Sequence, residues 1–145
     1  MSHHLVVRVV SKFLIPFILL FGLYVQFHGD FGPGGGFQAG VIFAAGFVLY
    51  ALVYGLDNAR RIIPERYIRM GVALGVLIFA GTGVVGLLLG GNFLDYSVLA
   101  EDSPHGQHIG IFVVEFGVGV TVASVMVLIF FTFAGRGHMI DEKEE

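Results

Sequence analysis

The chain has no cysteine, and charged residues make up only 13% of its 145 positions. Without a thiol it can supply no thiol nucleophile, no disulfide and no iron–sulfur ligand. Basic residues are scarce: there are eight Lys and Arg in all, and none in the stretches 28–36 and 90–108. With a net charge of −3, nothing offers nucleic acid a basic surface. Once the apolar runs are set aside, too little chain remains for a separate soluble catalytic domain, so an enzyme is not expected. No metal site and no cofactor are expected either.

What the chain has in abundance is apolar length. Hydrophobic residues make up 56% of it, and the mean hydropathy is +0.86, far above a soluble domain. Four apolar stretches, 5–27, 37–55, 68–89 and 109–134, each approach or exceed the roughly 20 residues a helix needs to cross a bilayer core. Threaded in order, they leave every basic residue on one side. Arg8 and Lys12 open the first span, Arg60, Arg61, Arg66 and Arg69 sit between the second and third, and Arg136 and Lys143 follow the fourth. The positive-inside rule then puts both termini in the cytoplasm. The expected fold is an all-α integral membrane protein, a single four-helix transmembrane domain over 1–145, N-in/C-in. A cleaved leader is not expected, because Phe13–Phe27 is followed by His28 and Gly29 rather than by a small-residue cleavage site.

Between the spans the sequence is less explicit. Pro16 removes the amide that would bond the Lys12 carbonyl, so a kink is expected there. The 56–67 connection is expected to do no more than anchor the chain. The 90–108 connection carries Asp95, Glu101 and Asp102 with Leu94, Tyr96, Val98 and Leu99 interleaved, and is expected to fold against protein or the outer interface. The charged end Asp141–Glu145 is expected to fray. No internal repeat is evident, and an inverted two-plus-two relation stays open.

Small residues mark where helices can approach closely in lipid. At 100° per residue, Gly71, Gly75, Thr82 and Gly86 form one stripe of the third span, and Gly40, Ala44, Ala51 and Gly55 one of the second. The fourth span has two special faces, Gly110, Gly117, Thr121 and Ser124 on one and His108, Glu115, Gly119 and Met126 nearly opposite. Two faces suggest a helix sandwiched between this bundle and other subunits.

Glu115 is the charged side chain well inside a span, about 9 Å along the helix from its outer end. An acid at that depth costs on the order of a few kcal/mol unless paired, protonated or hydrated. It reads either as a proton or cation station or as a structural hydrogen-bonder. His108, one heptad earlier, shares its face. The outer turn Phe27-His28-Gly29-Asp30-Phe31-Gly32-Pro33-Gly34-Gly35-Gly36-Phe37-Gln38-Ala39-Gly40 is rich in glycine but lacks the Lys-Ser/Thr and the preceding strand of a phosphate loop. It reads as a tight or re-entrant turn, tolerated at membrane depth only where protein or water satisfies its backbone. His28, Gln38, His105 and His108 are expected to form an outer polar cluster with Glu115.

The string from Phe27 through Pro33-Gly34-Gly35-Gly36-Phe37-Gln38-Ala39-Gly40 resembles the signature of the MnhB/MrpB family, small membrane components of the multisubunit Mrp/Mnh-type Na+/H+ antiporters. The segment His108–Val122 resembles that family's last helix, and the likeness covers nearly the whole chain. It implies an accessory subunit of a hetero-oligomeric antiporter in a prokaryotic cell membrane, with Na+ and H+ as transported ions. Larger partner subunits, related to the membrane arm of respiratory complex I, would carry the antiporter-like channels. The family turn often reads His-Gly-His-x-Ser-Pro, whereas Asp30 and Gly32 stand here, so neither a second histidine nor a serine cap carries over. Two alternatives remain at this point: the equivalent subunit of an ion-pumping membrane-bound hydrogenase or related redox complex, and a pure scaffold.

Overall fold

The computed structural model describes the backbone of residues 2–29 and 32–141 and the side chains of residues 5–29 and 32–135. Among the described residues, five α-helices and one short 3-10 helix follow one another: α1 Ser2–His28, α2 Gly36–Tyr54, α3 Leu56–Ile62, α4 Glu65–Leu88, the 3-10 turn Tyr96–Leu99, and α5 Ser103–Asp141. No strand occurs among the described residues. Four helices are long and apolar enough to cross a membrane: Leu5–His28, Gly36–Tyr54, Glu65–Leu88 and Ser103–Gly135. The third therefore begins three residues before its expected start, and the fourth six residues before. The expected fraying past Asp141 falls on 142–145, outside the described residues.

Local chemistry explains the boundaries. α1 continues through Pro16. α2 stops at Gly55, whose φ of 94° lies where a side chain is strained. α3 stops at Ile63, which is extended as a residue before proline prefers to be. α4 ends in a Schellman turn: Gly90, with φ 90°, donates its amide to the Leu87 carbonyl at 3.1 Å, and Gly91 donates to Gly86 at 3.0 Å.

Helices α1 and α2 form one antiparallel hairpin, with Gly22 against Phe43 and Gly46 against Leu19. Helices α4 and α5 form a second, with Gly71 against Ser124 and Gly75 against Thr121. The hairpins join through α2 and α5, which run parallel, since Gly36 meets Glu115 and Gly40 meets Gly119 and Ala123. The order across the row is thus α1, α2, α5, α4, and the outer members α1 and α4 do not pack on each other. Because the two hairpins point the same way, the inverted relation left open by the sequence is ruled out.

The α2–α5 seam is built from side chains four apart. Gly36, Gly40 and Ala44 on α2 face Glu115, Gly119, Ala123, Val127 and Phe131 on α5, the small-residue pattern that brings backbones close in lipid. One special face of α5 packs on α4, and on the other Glu115 and Gly119 pack on the α1–α2 hairpin while His108 and Met126 stay exposed. Gly55 also leaves its expected packing stripe, being exposed with nothing near it.

At the basic end, the 56–67 connection does more than anchor. Leu56, Ala59 and Ile63 recur at helical spacing and pack on the cluster of Ala44, Ala51, Val127 and Phe131. Arg60 Nη2 donates to the Phe131 carbonyl at 3.2 Å, and the Tyr54 hydroxyl donates to the Arg8 carbonyl at 2.8 Å. At the other end, the 3-10 turn lies on the start of α5, Tyr96 filling the space left by Gly110 and Phe93 that left by Gly83.

Candidate functional site

The 29–36 turn is held from three sides. The Gly35 amide donates to the Val25 carbonyl at 3.2 Å, pinning the turn to the end of α1, and the Gly35 carbonyl accepts the first bond of α2 from Ala39 at 3.0 Å. Gly35 itself has φ 123°, a conformation side chains resist. The third support is Glu115. A methyl group placed on Gly29 would lie 2.5 Å from Glu115 Oε2, and one on Gly35 would lie 3.0 Å from Oε1. The carboxylate therefore lies directly on the backbone of the turn.

This fixes the level of the turn along α5. Glu115 is six residues past Ile109, about 9 Å into the apolar run of α5, and the turn is level with it. The α1–α2 hairpin is thus short at this end, while α5 continues past it toward Ser103. Backbone without helical bonding sits at membrane depth only where protein or water meets its polar groups. Here the Val25 carbonyl and the Glu115 side chain line it.

The remaining sequence-predicted residues spread outward from this point. His28 is half-buried, its ring stacked on Tyr24 with centroids 5.1 Å apart, and its Nε2 is 3.1 Å from where a side chain on Gly32 would begin. Pro33 is exposed, Gly34 is packed so that an added methyl would meet the Val25 carbonyl at 2.8 Å, and Gly36 and Gly40 are buried in the seam. Phe37 and Gln38 are exposed on α2. His108 stands two turns from Glu115 on the same helix, about 10 Å along the axis, and His105 about 15 Å away. Both histidines are exposed, and the structure brings the turn, not Gln38 or His105, against the Glu115 carboxylate. Among the described residues no three His, Asp or Glu side chains converge as a metal site would require.

The packing glycines divide by partner. Gly71 and Gly75 face α5, where Gly117 and Thr121 receive them, and the Thr121 hydroxyl donates to the Gly117 carbonyl at 2.8 Å. Gly86 instead faces the backbone of Asn92 and Asp95 in the following loop. In that loop Asp95 accepts from the Ser97 hydroxyl and from the Ser97 amide at 3.2 Å. Those two bonds, the hydroxyl first, hold the Asp95 carboxyl below its ordinary range.

Residues 6–128 match the family described as a domain related to the MnhB subunit of Na+/H+ antiporter. The chain belongs to this family. Similar proteins include "Putative antiporter subunit mnhB2" of Staphylococcus haemolyticus (strain JCSC1435), 32% identical over 139 residues, covering 92% of this chain and 96% of that one. The proteins of the same name from Staphylococcus epidermidis (strain ATCC 35984) and Staphylococcus aureus (strain Newman) are 30% and 31% identical, with the same coverage. The matched residues include the whole turn, Glu115 and the α2–α5 seam as far as Val127.

Two polar residues at helix contacts are not marked out by the sequence. Gln26 is 7% exposed and sits with Oε1 at Gly119, although near the end of an apolar run it reads as an ordinary boundary residue. Arg60 reads as a topology signal, yet bonds the α5 backbone. The one sequence hint for Gln26 is that its polar amide stands among apolar neighbours, with Val25 before it and Phe27 after.

Proposed function

We propose that this chain is an accessory, non-enzymatic subunit of a multisubunit Na+/H+ antiporter in a prokaryotic plasma membrane, and that Glu115 is its ionisable station. Its partners are the other subunits of the complex and the surrounding lipid, and the transported ions are Na+ and H+. Family membership supports the assignment to an antiporter, and the relatives' antiporter names do not favour the redox-complex alternative. The orientation proposed is N-in/C-in, supported by the basic residues gathered at one end of the row.

One observation carries the role of Glu115: its carboxylate lies against Gly29 and Gly35 within the apolar run of α5, and irregular backbone and an acid are both costly inside a membrane. An acid retained beside a turn that needs polar contact can exchange a proton or meet a cation while its neighbours stay in place. Gln keeps the size and an acceptor but cannot ionise. The test is ΔpH-coupled transport in vesicles with matched amounts of wild-type and Glu115→Gln complex, scanned over pH and Na+. Reduced transport or a displaced pH profile at normal complex yield is expected. Superimposed profiles would leave Glu115 a structural hydrogen-bonder and this chain a scaffold.

A further inference from the structure

Two apolar clefts, each walled by α1, α2 and α5, follow one another along one side of the α2–α5 seam. The cleft nearer the glycine turn holds about 260 Å³, with Leu23, Ala39, Phe43, Val120 and Ala123 among its walls. The other holds about 120 Å³ between Ile15, Phe47, Val127 and Phe131, and Ala59 and Ile62 of α3 close its end. Phe43 and Phe47 are four residues apart on α2, as are Ala123 and Val127 on α5, so both clefts lie on the same face of each helix. From Ala39 to Tyr50 this trench runs about 16 Å along α2. That is half of the roughly 30 Å core of a bilayer. The end under α3 is the basic end of the chain. There Arg8, Lys12 and Arg61 are exposed. Lys12, eleven residues before Leu23, falls within about 20° of it around α1, on the trench side. Among the described residues no acid pairs with Arg8, Lys12 or Arg61, whereas Arg69 meets Glu65 at 2.6 Å.

We propose that the trench seats one acyl chain of an anionic phospholipid, whose phosphate is held by Lys12 with Arg8 and Arg61 at the same end. The trench offers apolar surface over the depth of one leaflet, which suits a hydrocarbon chain and gives a polar ligand nothing to bond. A helix of a partner, about 10–12 Å across with its side chains, does not enter clefts of this size, whereas a single alkyl chain does. Ile62 lines the cleft under α3 yet is 58% exposed, and so marks the side on which the chain enters. One turn from Ile15, the Lys12 stem reaches along α1 toward the headgroups. A neutral lipid would fill the same volume, so the unneutralised charge at this end is what selects among lipids. The seated chain fills the space between α1 and α5 that the protein leaves open. None of this depends on whether Glu115 ionises.

Photolabelling of the assembled complex tests this. The complex is placed in phosphatidylcholine vesicles doped with a phospholipid bearing a diazirine in one chain, either phosphatidylglycerol or phosphatidylethanolamine. After photolysis, peptide mass spectrometry maps the adducts on this chain. Phosphatidylglycerol should label residues 39–50 and 116–131 at least about fivefold more than phosphatidylethanolamine, fivefold being the weight of one basic residue near an anionic surface. Lys12→Gln should cut the phosphatidylglycerol adducts by about fivefold and leave the phosphatidylethanolamine adducts unchanged, while Lys12→Arg should keep both. Should Lys12→Gln lower complex yield, the comparison of the two lipids on the unaltered chain still decides. Equal labelling by the two lipids, or phosphatidylglycerol adducts undiminished in Lys12→Gln, overturns the proposal. So does a complex in which neither segment is labelled, since another subunit then covers the trench.

Discussion

The backbone carbonyl of Glu115 occupies the place where a side chain on Gly36 would begin. One residue thus meets the turn twice, through its carboxylate at Gly29 and Gly35 and through its main chain at Gly36. The seam between α2 and α5 and the position of the acid are set by the same contact, and neither can shift without the other.

That contact predicts a sharp contrast between two glycines. Gly36→Ala should lower complex yield severely, because overpacking against backbone costs about 1–3 kcal/mol or more and no flexible atom can give way. Gly81→Ala meets nothing within 4 Å and should be tolerated or gain up to about 1 kcal/mol from helix propensity. Yield of assembled complex and its thermal midpoint in detergent compare the two, and equal behaviour would mean the seam is looser than described.

The α4–α5 contact makes a coupled prediction. A methyl on Gly75 would first meet Thr121 Oγ1, and would also lie 2.6 Å from the Gly117 carbonyl. Gly75→Ala should destabilise by about 1–3 kcal/mol, and Thr121→Ala should restore part of that loss but not all. A double-mutant cycle on thermal stability reads the coupling directly; strict additivity would show that these residues do not touch.

Orientation is open to thiol labelling, because the chain has no cysteine of its own. With both termini cytoplasmic, a cysteine at Asp102 should react with a membrane-impermeant reagent only from outside, and one at Arg61 only from inside. The reverse pattern would invert the row in the membrane and place the glycine turn on the cytoplasmic side.

The loop after α4 should respond to acid in one direction. Asp95 titrates below its ordinary value because Ser97 donates to the ionised form. A lowered value adds stability that is fully present above the ordinary carboxyl range, near pH ~4, and is lost as pH falls through the folded value. Protection of the Ser97 amide, taken relative to its intrinsic exchange rate at each pH, should therefore hold at neutral pH and fall only below about pH 4. Asp95→Asn should remove that dependence, and Ser97→Ala should move it to higher pH.

The four spans were legible because apolar length is a direct reading of sequence, and the break at Gly55 and the turn at Gly35 follow from glycine itself. The use of both α5 faces was not legible: periodicity shows that a helix has two small or polar faces but not which neighbours receive them. Arg60 was hidden for a related reason. As one of four arginines near a membrane boundary it looks interchangeable with Arg61, and only the packing of Leu56, Ala59 and Ile63 turns it toward Phe131. His105 and Gln38 were grouped with Glu115 by proximity to the outer end, yet about 15 Å of helix separates His105 from it, and Gln38 faces away from the seam that Gly36 and Gly40 make.

The row α1, α2, α5, α4 leaves its end members α1 and α4 unpacked against each other. With the end members apart, the four helices do not close into a ring, and Glu115 is only half-buried within this chain. Only 11% of the most apolar stretch of α1 is buried, which leaves that edge almost wholly presented to whatever lies beside it. On the function proposed for Glu115, whatever completes a sealed passage beside it would have to come from outside these four helices.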